Sequence, residues 1–211
     1  IAQCLVGSEM CIRDRYIDYL SKSRTNGMKT GREYLTAEEL ATVERQELQS
    51  SRLEKVRDLY LFSCYTGLTY RDIKNLQDYH VIRAKDGTRW LSIFRPTEKH
   101  SCQIPLLENA CRIIDKYRDG NTENLLPVPS IQKVNAYLKE IVSQCGLDRK
   151  LSFQSARSTF AVTIGMANEV PPVIISKLFG FRDYTTRCTR VSDKQVSREI
   201  LELSKKLATN K

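Results

Sequence analysis

From Thr36 to Leu207 the apolar positions recur mostly at three- and four-residue intervals, the spacing that lines up one face of a helix. Thr36 and Glu39 read as a capping box that opens a helix running to about Gln49. A second helix, over about Arg52–Tyr65, sets Val56, Leu59, Tyr60 and Ser63 on one face. A third covers about Leu107–Tyr117. The next is capped by Ser130, carries Ile131, Val134, Leu138, Ile141, Val142 and Cys145 at helical spacing, and stops at Gly146. Further helices span about Phe153–Ala167 and, after Pro171 and Pro172, about Val173–Phe179. The last starts at Ser192, which pairs with Gln195 in a second capping box, and runs to about Leu207. Its Val196, Ile200, Leu203 and Leu207 share a face that can dock on its own domain or on a neighbour.

One stretch breaks this rhythm. "TRWLSIFRPTEKHSCQIPL" reads as two extended runs around a polar turn at Glu98–Ser101. The pattern as a whole predicts a mainly α domain with a small antiparallel β-hairpin or sheet. No run of about 18 apolar residues is present, so no membrane-spanning helix is expected.

The N-terminal part follows different rules. Residues 1–15, "IAQCLVGSEMCIRDR", lack both an initiator Met and the basic-then-apolar layout of a signal peptide, and they read as a sequencing or assembly scar. Residues 16–33 are polar, and "KSRTNGMKTGR" reads as a basic linker. Residues 34–211 then form the domain proper.

Composition sharpens the class of partner. The chain has 211 residues and 41% apolar content, enough for one domain with a buried core. Its formal charge of +9 favours a polyanion, of which nucleic acid is the commonest. Seven cysteines show no Cys-x-x-Cys spacing, and Cys64, Cys111 and Cys145 fall on apolar helix faces. An odd count without metal spacing fits a reducing cytosol, so a cytoplasmic location is expected. Two isolated histidines, His80 and His100, are too few for a zinc site, and no cofactor is expected.

Five segments, in order, carry a resemblance: "LYLFSCYTGLTYRDIKNL", "RWLSIFRPTEKHSCQIPLL", "NAYLKEIVSQCGL", "LSFQSARSTFA" and "VIISKLFGF" followed by "RVSDKQV". Together they resemble the catalytic domain of phage-type tyrosine recombinases, and most of all the integrases of conjugative transposons, over about Tyr34–Leu207. The resemblance implies the catalytic-domain fold of that family and an ancestry in DNA integration and site-specific recombination. It implies double-stranded DNA as partner, and other protomers met through the C-terminal helix. The separate N-terminal domain that usually completes the clamp on DNA would lie before the linker. In that chemistry a tyrosine attacks a phosphodiester and conserves its energy in a covalent link. Two arginines hold the charged transition state, each such donor being worth about 10²–10³ in rate. A hairpin lysine protonates the leaving oxygen, and two histidine-type positions complete the set.

The positions of this chain match the family unevenly. Lys99 stands in the lysine's place and Arg157 in that of the second arginine. Thr69 occupies the first arginine's place after "TGL" and carries no charge. Arg71, placed with Thr69 on one new helix, would point about 200° away from it. Gln154 stands for the first histidine; it keeps hydrogen-bonding capacity but cannot shuttle a proton near neutral pH. Phe181 takes the second histidine's place, and Cys188 the tyrosine's. Tyr184 is the nearest tyrosine, four residues earlier, and would need a shift on the order of 10 Å to serve.

Three readings follow. The chain is a DNA-binding member of the family that is catalytically impaired or inactive. Alternatively, it is an active recombinase using Tyr184 or Cys188 as nucleophile. The third is an unrelated helical interaction module, which would show no salt-sensitive DNA binding at all.

Overall fold

The computed structural model describes residues 34–85, 87–95, 100–118, 124–180 and 192–209. Eight α-helices and three strands are seen among them, in the order α1 (Ala37–Arg45), α2 (Ser51–Thr66), α3 (Tyr70–Lys74), β1 (Val81–Arg83), β2 (Arg89–Arg95), β3 (His100–Pro105), α4 (Glu108–Tyr117), α5 (Ile131–Gln144), α6 (Phe153–Thr159), α7 (Pro172–Leu178) and α8 (Asp193–Thr209). A 3₁₀ turn, Asp78–His80, leads into β1. Helix α6 continues as a π-helical segment, Phe160–Gly165, and a 3₁₀ turn, Met166–Asn168, so the predicted helix over this stretch is one helical path in three geometries. The mainly helical architecture with a small antiparallel sheet is as the apolar pattern predicts.

Helix α2 is the axis of the core. Leu53, Val56, Leu59, Tyr60, Phe62, Ser63 and Cys64 are all buried, on every side of the helix. Every residue from Asp58 to Thr66 is buried, so this part of the helix lies inside, and α2 is packed against α4, α5 and α6. Its Asp58 carboxylate is buried and accepts from Lys116 Nζ at 2.6 Å and Tyr117 Oη at 2.9 Å, which pins α4 to it. Burial pushes the Cys64 thiol far up, so this cysteine is an inert packing residue.

Both predicted capping boxes form. Thr36 and Glu39 exchange side-chain and backbone bonds at 2.8 and 3.2 Å, and α1 ends at Arg45, a turn earlier than the apolar pattern suggests. Ser192 and Gln195 do the same at 3.0 and 3.2 Å. Helix α8 lies on its own domain, with Val196, Ile200 and Leu203 buried and Lys206 bonded to Glu169 at 2.6 Å. Ser130 sits at the N-cap of α5 but makes no side-chain cap bond.

The sheet corrects two expectations. Strands β2 and β3 pair from Trp90↔Pro105 to Arg95↔His100, so His100 and Ser101 belong to the strand and the connection is residues 96–99. The third strand, β1, pairs with β2 only from Val81↔Leu91 to Arg83↔Arg89. Three residues, half-exposed or exposed, carry no readable alternation, which is why the pattern suggested two strands.

Gly67 ends α2 in the left-handed conformation, φ 70°, and the rings of Phe160 and Phe179 close over it. A Cβ there would lie 2.6 Å from Phe179 Cε1 and 2.9 Å from Phe160 Cδ1. Gly67→Ala is therefore expected to cost about 2–4 kcal/mol, from backbone strain plus overpacking. The urea midpoint measures it; a loss below about 0.5 kcal/mol would show that the two rings yield freely.

Candidate functional site

The turn after Gly67 brings chain and chemistry together. Thr69 is the N-cap of α3: its Oγ1 accepts the Asp72 N–H at 3.2 Å, while Asp72 Oδ2 accepts the Thr69 N–H at 3.1 Å and its hydroxyl at 2.8 Å. A Thr-x-x-Asp spacing makes this box by itself.

Asp72 has a second partner from the sheet. Arg95, at the end of β2, donates Nε to Oδ1 at 3.1 Å and Nη2 to Oδ2 at 2.7 Å, a two-pronged pair whose side chains are 8% and 9% exposed. Burial raises the Asp72 pKa. Arg95's hydrogen bonds and charge, with the bonds from Thr69, outweigh that and hold the carboxyl below the usual aspartate range.

Helix α7 supplies the third side. Its end presents the Phe179 carbonyl, one of the acceptors a helix C-terminus leaves without an internal donor. Arg95 Nη1 donates to that oxygen at 2.6 Å and Arg157 Nη2 at 3.0 Å. Cys102 Sγ of β3 donates to the preceding carbonyl, Leu178, at 3.1 Å. The Arg157 guanidinium also lies over the Phe179 ring, 4.1 Å from its centre. A cation at this end of a helix is favoured by the helix dipole as well.

Two clefts open onto the group. One, of about 490 Å³, is lined by Thr69, Arg71, Asp72, His80, Phe94, Arg95 and Arg157 among others. The other, of about 350 Å³, is lined by Thr69, Tyr70, Arg71, Asn135, Gln154 and Arg157 among others. Three guanidinium groups and one carboxylate make the region a net cation, suited to a polyanion.

Thr69, Gln154 and Arg157 all line the smaller cleft, with Gln154 exposed at the rim. Arg71 departs from its expected direction. Thr69 is the extended residue before the helix rather than part of it, so the 200° helical angle does not apply, and Arg71 lines both clefts. Lys99, Phe181, Tyr184 and Cys188 lie outside the described residues, as do residues 1–33.

Arg95 and Asp72 were not among the residues matched from the sequence. A signal for Arg95 exists: Leu91, Ile93 and Arg95 alternate on the buried side of β2, and a charge at an inward position calls for a partner. The partner, 23 positions earlier in the chain, is visible only in three dimensions.

No protein-family model and no curated protein matches the chain. Solved structures do. The XerH site-specific recombinase bound to palindromic difH substrate, a post-cleavage complex, is 12% identical with a TM-score of 0.58 over 82% of this chain and 53% of that one. The integrase from mycobacterium phage Brujita is 16% identical with a TM-score of 0.59, over 85% and 60%. The Tn1549 transposon integrase in complex with circular intermediate DNA is 13% identical with a TM-score of 0.54, over 84% and 68%. The fold is that of the tyrosine recombinase catalytic domain. The chain spans a little over half the length of the first of these structures. Among the described residues no helix is long and apolar enough to cross a membrane.

Proposed function

We propose that this chain is a tyrosine-recombinase catalytic domain that binds double-stranded DNA and is impaired or inactive in strand cleavage. The observation that carries the reading is the arginine-lined pair of clefts meeting at Arg157, in a fold shared with integrases and site-specific recombinases. Arg157 stacks on Phe179, bonds its carbonyl, and still lines both clefts. A rigid, oriented guanidinium in a cationic cleft suits a DNA phosphate.

The impairment follows from residue chemistry. Thr69, Gln154 and Phe181 replace an arginine and two histidines, and Cys188 replaces the nucleophile, whereas Arg157 and Lys99 remain. Backbone binding depends on positive charge rather than on the nucleophile, so it outlives cleavage. Other protomers are proposed as partners on the same ancestry, with α8 as the element that would meet them. Its apolar stripe is packed on its own domain, and Leu201 is 49% exposed on its outer side.

The expected result is binding to a labelled duplex of mixed sequence that weakens linearly, on logarithmic axes, with added salt. A suicide duplex carrying a nick is expected to give no covalent adduct on a denaturing gel. An adduct lost in Tyr184→Phe, or a thiol-linked one lost in Cys188→Ala, would establish the active-recombinase alternative. Absence of any salt-sensitive binding would favour an interaction module that merely shares the fold.

A further inference from the structure

We propose that Arg95 fills the anion-holding place left empty at Thr69, so that Arg95 and Arg157 together grip one DNA phosphate. The inference rests on the DNA-binding reading above and assigns the second residue of its grip.

Three observations carry it. The first is position. Thr69 and Arg95 are joined through one carboxylate, since Asp72 Oδ2 accepts both the Thr69 hydroxyl at 2.8 Å and Arg95 Nη2 at 2.7 Å. The Arg95 guanidinium therefore stands beside the side chain of residue 69, delivered by a strand instead of by the turn. The second is convergence. Arg95 Nη1 and Arg157 Nη2 donate to the same oxygen, that of Phe179. Two donors that share one carbonyl oxygen are close enough to share one phosphate group. The third is access. Arg95 is 7% exposed overall, yet it lines the 490 Å³ cleft together with Arg71, Thr69 and Arg157.

Asp72 gives the arrangement its rigidity. Its two oxygens hold both prongs of the Arg95 fork, so the guanidinium is oriented before any ligand arrives. Burying an arginine in a sheet costs free energy unless its charge is used or matched. A match by Asp72 alone would make Arg95 a structural ion pair, and the experiment has to separate the two roles.

The double variant Asp72→Asn/Arg95→Gln does so, because it removes both charges and leaves neither buried and unmatched. With the whole chain and a short labelled duplex of mixed sequence at one moderate salt concentration, affinity is expected to fall about tenfold, the usual effect of losing a charged phosphate contact. Adding Thr69→Arg to the double variant is expected to restore most of that loss. The same charge added at exposed Thr42, on α1, is expected to restore little. Unchanged affinity in a double variant that still melts cooperatively overturns the assignment and leaves DNA binding standing. Equal rescue from Thr42→Arg and Thr69→Arg overturns it too. If the double variant fails to fold, Arg95→Lys keeps the charge and loses the fork. A several-fold loss of affinity then supports the assignment, and none overturns it. A wild-type chain without salt-sensitive DNA binding overturns both this inference and the reading beneath it.

Discussion

Asp72→Ala is expected to destabilise the fold by about 3–5 kcal/mol, because it strands the buried Arg95 charge without its carboxylate. The same change removes the Thr69 N-cap partner, so α3 loses one half of its capping box. Asp72→Asn keeps the shape and part of the hydrogen bonding, and should cost less. Acid separates the two. The carboxyl titrates below its ordinary value in the folded state, so its stabilisation is complete above the unfolded value of about 3.9 and is lost as pH falls through the lowered folded value. The gap in urea midpoint between wild type and Asp72→Asn should therefore be wide near neutrality and close in acid. A gap that stays constant as pH falls from about 6 to about 3 would show that the pair adds no pH-dependent stability.

Arg157→Ala carries the second large effect, on DNA affinity. The variant removes a guanidinium that bonds the Phe179 carbonyl at 3.0 Å and stacks on its ring at 4.1 Å. Duplex binding is expected to weaken at least tenfold, the size of a lost charge-assisted contact. Arg157→Lys should recover little of it, since an ammonium neither forks nor stacks as a guanidinium does. The loss should also be coupled to Arg95: with both arginines on one carbonyl, removing the second after the first costs less than removing it alone. Filter binding of Arg157→Ala, of the Asp72→Asn/Arg95→Gln double variant, and of all three changes together measures this directly. Full additivity would mean that the two side chains act at separate points.

Much of the architecture was legible because it depends on local rules. The capping boxes at Thr36 and Ser192 are set by residues three apart, and the stop of α5 at Gly146, with φ 66°, needs only a residue that tolerates a left-handed turn. The helices over 51–66 and 131–144 follow from apolar spacing over several turns. Strand β1 was not legible, since its three residues have meaning only as a partner for β2. Helix α3 is likewise too short for periodicity to mark.

The site divides along the same line. Arg157, Gln154 and Thr69 stand out from the matched segments, and all three line the smaller cleft. Arg71 was misdirected by treating Thr69 as helical, when the residue is the cap that precedes the helix. By itself the sequence determined the helical periodicity, the caps and the excess of positive charge. Each of these is a property of neighbours along the chain or of composition. Only the tertiary structure decided that the Arg95 side chain reaches from its strand to Asp72 and Phe179, and that α8 turns its apolar stripe onto its own domain. Those outcomes depend on which buried charge finds which carboxylate or helix end, and that is settled by distances between residues far apart in sequence.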